Sequence, residues 1–192
     1  MNSGATQTLF ITVQYLRDNT IINENVDGNL LQPIIKTTHD KYLHPLIGSP
    51  LYYALQDKII SNTLTGNYKV LMDQYIVPVL LHYATYEAVP YMAFKFRNKG
   101  VSKQNSDYSE PADLTELSYV RDNIRDTAQF YGERLVDYLC SNSSLFSEYG
   151  SIGDGDIAPS SGDYFGGIHI PNRNRNGAGT FGYGLSSGQS IE

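Results

Sequence analysis

The chain has 192 residues, 41% hydrophobic and 18% charged, which suits one domain with a sizeable core plus an appendage. Its formal net charge of −6 argues against wrapping or gripping nucleic acid, which needs clustered Lys and Arg, but not against a wall past which duplex slides. Cys140 is the sole cysteine, so no intrachain disulfide forms, and a buried helical thiol is expected there.

The N-terminal stretch MNSGATQTLFITVQYLRDN has no basic region of the kind that opens a signal peptide, so none is expected. No run approaches the roughly 20 apolar residues of a membrane-spanning helix. Thr12 is placed to cap a short helix over VQYLRDN. A second helix is expected from about Asp27, with Leu30, Leu31, Ile34, Ile35, Thr38 and Tyr42 as one apolar stripe and an end before HPLIGSP. Ser49 is expected to cap a third helix, with Pro50 at its first position, running through LYYALQDKIIS. From Tyr68 to about Arg97 the pattern stays helical across Pro78 and Pro90, predicting one long kinked helix or two end to end.

NKGVSKQNSDYSEP reads as a polar loop, and no strand is expected before residue 150. Asp113 and Glu116 form a candidate capping box. The helix they open places Leu117, Val120, Ile124, Ala128, Tyr131, Leu135 and Leu139 on one face, over about 35–40 Å. The expected fold is an all-α bundle of four to five helices over residues 1–149, with an extended arm over 150–192 that holds 11 of the 17 glycines.

No catalytic constellation emerges. Gly177-Ala178-Gly179-Thr180-Phe181-Gly182 matches the dinucleotide fingerprint literally, but no helix pattern follows it and no acid lies about 20 residues on. His39 and His44 are five apart and point about 140° apart on a helix, unlike a metal-sharing i, i+4 pair, and His82 reads as a polar-face residue. Asp154 and Asp156 lack the closing glutamate of a calcium loop. The expectation is no enzyme, no metal and no cofactor.

The arm carries a sharper pattern. In TFGYGL, Phe181, Tyr183 and Leu185 alternate with Gly182 and Gly184, so an extended ribbon has three large groups on one face and bare backbone on the other. GGIHIP repeats this on a smaller scale, with Ile168 and Ile170 on one side of His169, and Phe165 is a sixth apolar group of the arm. Ordering 150–192 costs more backbone entropy than burying these six groups returns, so the arm needs a surface from other subunits, with strand addition as one mode.

IIKTTHDKYLHPLIGSPLYYAL, YIVPVLLHYATYEAVPYMAFKFRNKGV and RDTAQFYGERLVDYLCSNSSLF resemble the head-tail connector, or head-completion adaptor, proteins of tailed bacteriophages, closest to those of crAss-like and related Bacteroides phages. The resemblance spans about residues 10–149. It implies a small helical subunit in a homo-oligomeric ring of about twelve copies, located at the head-tail junction of the virion beneath the portal protein. It further implies contact with other connector or tail proteins, and duplex DNA crossing the lumen without sequence-specific binding. Neither a membrane partner nor catalytic residues are implied. The alternatives are another phage structural subunit, for tail completion or capsid decoration, and a cytosolic helical adaptor or DNA-binding regulator.

Overall fold

In the computed structural model, which describes residues 8–22, 26–97, 100–103, 113–151, 153 and 156–159, the helices begin where local capping chemistry places them. Thr12 Oγ1 accepts the Tyr15 N–H at 3.1 Å and opens α1 (Val13–Asn19). Asp27 accepts the Asn29 N–H at 2.9 Å and opens α2 (Gly28–Thr38). The expected stripe is the buried one, with Leu31, Ile34, Ile35, Thr38 and Tyr42 in the interior and only Leu30 left exposed at its edge.

That rod does not end before HPLIGSP. It continues through a π turn (His39–Leu43) and a last α turn, α3 (His44–Ile47), and stops at Gly48. Pro45 has no N–H for the Lys41 carbonyl and its ring crowds that oxygen. The π turn, closed by the His44 N–H on the His39 carbonyl, widens the ladder just upstream and carries the proline inside the rod. The same device recurs before Pro78. Between α5 (Gly66–Leu71) and α6 (Val77–Ala93) lies a π turn (Met72–Ile76), closed by the Val77 N–H on the Met72 carbonyl. The long proline-bearing helix is therefore two α segments joined by a widened turn.

Gly48, rather than Ser49, is the N-cap of α4 (Ser49–Ile60), and Ser49 is its first residue. A second departure follows α6, which ends at Ala93 rather than near Arg97. Phe94–Arg97 (β1) and Gly100–Lys103 (β2) pair antiparallel, Phe94 opposite Lys103 and Arg97 opposite Gly100, where the sequence suggests helix end and loop. Phe-Lys-Phe-Arg has the two-residue period of a strand, masked by the helical run it abuts.

One bond of the capping box is in place: the Asp113 N–H donates to Glu116 Oε2 at 3.1 Å and α7 (Leu114–Ser141) follows. Its 28 residues span roughly 42 Å, slightly beyond expectation. It packs antiparallel on the α5–α6 rod, with the Arg121 guanidinium 4.3 Å from the Tyr86 ring, His82 stacked on Tyr131 at 4.8 Å, and Tyr75 stacked on Tyr138 at 3.9 Å. Ala128 and Gly132 are buried on the inner face of α7. Five rods (α1, α2–α3, α4, α5–α6 and α7) make an all-α bundle around a core that includes Leu16, Ile35, Leu43, Leu55, Leu80 and Leu135. Cys140 is exposed, contrary to expectation, because Leu139 occupies the core face and the next residue is turned about 100° away.

Candidate interaction surface

Beyond α7 a 3-10 turn (Ser143–Leu145) brings Phe146 into the core, where it meets the Tyr68 ring edge-on at 5.3 Å. The Tyr68 hydroxyl donates to Glu148 Oε2 at 2.6 Å, and burial together with this carboxylate pushes the phenol up to about 12. The chain then returns to the corner between α3 and α4. The Ser49 N–H donates to the Ile157 carbonyl at 2.9 Å, and the Ile157 N–H donates to Ser49 Oγ at 2.9 Å. His44 Nε2 lies 2.8 Å from the same oxygen.

Gly48 makes the corner possible. Its backbone sits at φ 79°, ψ 158°, a region occupied almost only by glycine. A Cβ there would lie 2.8 Å from Pro159 Cδ and 3.2 Å from the Ile157 carbonyl oxygen. Residues 156–159, which the sequence assigns to the start of the arm, are thus seated on the body.

A serine and a histidine in hydrogen-bond reach invite comparison with a nucleophile and its base. Ser49 is 3% exposed, its Oγ is engaged by Ile157, and the His44 ring lies flat against Tyr52 at 4.5 Å, so the pair ties backbone segments together. Burial lowers the His44 pKa against the opposing pull of Asp40 and Asp156. His39 is fully buried, with Nδ1 donating to the Ile35 carbonyl at 2.8 Å and Nε2 accepting the Phe10 N–H at 3.0 Å, and burial again lowers its pKa. It staples the N-terminal segment to α2. Among the described residues no cluster of three His, Cys, Asp or Glu is placed to hold a metal ion, and no helix is long and apolar enough to cross a membrane.

The described surface also carries hollows beside α6. A groove of about 450 Å³ between the end of α1, α6 and α7 is lined by Ile21, His82, Thr85, Tyr119, Val120 and Ile124. Its rim is apolar, with Ile21 76% and Tyr119 72% exposed. A smaller hollow of about 270 Å³ lies between α2 and α6, against Pro33, Tyr91 and Glu87. Burial would raise the Glu87 carboxyl, but hydrogen bonds from Lys41 and Tyr42 and the nearby Arg121 hold it below the usual range.

The six residues nominated from the sequence, Phe165, Ile168, Ile170, Phe181, Tyr183 and Leu185, lie outside the described residues. Sequence reasoning missed the seat at Gly48 and Ser49. Its only local signal is a glycine between an apolar helix end and Ser-Pro, and nothing in that signal points to residue 157.

The fold and its surface define a helical-bundle protein whose C-terminal extension is anchored at a glycine corner. The chain belongs to DUF6712, a family of unknown function, whose model matches residues 43–157 and so includes both the corner and the segment seated on it. No curated protein and no solved structure matches the chain.

Proposed function

We propose that the protein is a virion structural subunit of a tailed bacteriophage: a ring-forming head-tail connector beneath the portal that extends the DNA channel and joins capsid to tail. The observation that carries this reading is the seat of residues 156–159 on Gly48 and Ser49. The arm that starts from this fixed point carries the glycine-spaced Phe181, Tyr183 and Leu185, which are assigned to contacts with neighbouring subunits.

The resemblance over residues 10–149 supports the same reading, and the corner lies within its LHPLIGSPLY segment. The partners are further copies of this chain, portal protein, other connector or tail proteins, and duplex DNA that passes through the lumen. No catalytic step is assigned to it. A reconstruction of the particle tests the reading: the expected position is a ring between portal and tail. Truncation after Pro159 should leave a folded helical body that no longer enters particles. A position on the outer capsid surface would favour a decorating subunit instead.

A further inference from the structure

The outer face of α7 is an ordered stripe. Tyr119, Asp122, Asp126, Phe130, Glu133 and Asp137 recur at steps of three or four, all exposed, on the side opposite Ala128, Leu135 and Leu139. Two exposed aromatics therefore sit among four carboxylates along one helix. Arg125 bonds the first two, at 3.1 Å from Asp122 and 3.4 Å from Asp126. Glu133 and Asp137 make no ion pair among the described residues.

The complement lies at the far end of the helix. Residues 94–103, FKFRNKGVSK, hold four of the chain's 14 basic residues and none of its 20 acidic ones. Lys95, Arg97 and Lys103 stand on the paired strands, with Phe94 and Phe96 at alternate positions. The two-residue period places Lys95 and Arg97 on one face of the hairpin and Phe94 and Phe96 on the other, so a basic face is available to match the acidic Glu133–Asp137 part of the stripe.

The two cannot meet within one copy. The antiparallel packing sets Tyr86 beside Arg121 and Tyr75 beside Tyr138, so α6 ends near the start of α7. Glu133 and Asp137 lie more than about 20 Å from the root of the hairpin at the helical rise. A strand of four residues reaches only about 13 Å.

The geometry points to a head-to-tail contact in which the β1–β2 hairpin of one copy lies against the Phe130–Glu133–Asp137 part of the α7 stripe on the next copy. Such a contact joins two different patches and is the kind that closes rings. It specifies the subunit-subunit surface of the ring proposed above and rests on that reading only for the closure of the ring.

Two charge-reversed full-length chains test it: Lys95→Glu with Arg97→Glu, and Glu133→Lys with Asp137→Lys. In the first, positions 95 and 97 are negative like Glu133 and Asp137, and the hairpin as a whole is neutral because Lys99 and Lys103 remain; in the second, positions 133 and 137 are positive like Lys95 and Arg97. Self-association of the unaltered chain, followed by sedimentation, should weaken as salt rises from about 0.05 to 0.5 M. Each variant alone should associate at least about tenfold more weakly. An equimolar mixture should recover association, because a reversed hairpin then meets a reversed stripe at every alternating contact, an outcome that misfolding cannot produce. Variants that assemble like the unaltered chain overturn the contact and leave the ring reading standing. An unaltered chain that stays monomeric at low salt also overturns it, and the ring reading is then decided by the particle reconstruction. Salt-sensitive duplex DNA binding that the hairpin variant abolishes, with association unchanged, overturns it in favour of a nucleic-acid contact.

Discussion

At position 48 a side chain would meet two obstacles: a backbone conformation that costs non-glycine residues about 1–3 kcal/mol, and the Pro159 ring 2.8 Å away. Gly48→Ala should therefore lower unfolding stability by at least about 1 kcal/mol and release residues 156–159 to proteolysis; unchanged denaturation and protection would contradict the role of the corner. The histidines set a pH dependence of definite sign. His39, His44 and His82 all have pKa values lowered by burial. Above about pH 6.5 they are neutral folded and unfolded, and stability is full. Below it the unfolded chain binds protons that the folded chain refuses, so stability falls with pH. His39 should contribute most, since a proton on Nε2 would displace the Phe10 N–H. Denaturant midpoints should drop from about pH 7.5 to 5.5, and His39→Gln should flatten that drop while costing stability at the upper pH; an equal slope in the variant would count against this assignment.

Among the elements, α7 offers a prediction of opposite sign. Gly132 is buried in mid-helix, and a Cβ there would stand 3.6 Å from Leu46 Cδ1 and 3.9 Å from the Tyr83 hydroxyl, both ordinary contacts. Gly132→Ala should stabilise the protein by about 0.5–1 kcal/mol through helix propensity alone, and destabilisation in thermal unfolding would show that the rods pack more tightly than described. Elements whose signals are local were legible in the sequence: the caps at Thr12, Asp27 and Asp113 are single-residue chemistry acting within three residues. The π turns before Pro45 and Pro78 were not. A proline reads as a break, and only packing on both sides of the widened turn keeps the rod going. The hairpin was hidden because Phe94 and Phe96 also extend the apolar pattern of α6. The tie between Ser49 and Ile157 spans 108 positions and leaves no local trace at either end.

For the whole molecule, the proposed reading divides the labour: the bundle packs around its own core, and the arm is proposed to be completed by neighbours. On that proposal, the surfaces that offset the entropy of ordering the arm belong to other subunits of a particle. A connector ring fixes its copy number by symmetry, whereas a decorating subunit follows the capsid lattice. The most direct measurement is therefore the number of copies per purified particle, by quantitative mass spectrometry against the portal protein. The account predicts about twelve, one closed ring. Copies in the hundreds, or none, would contradict it.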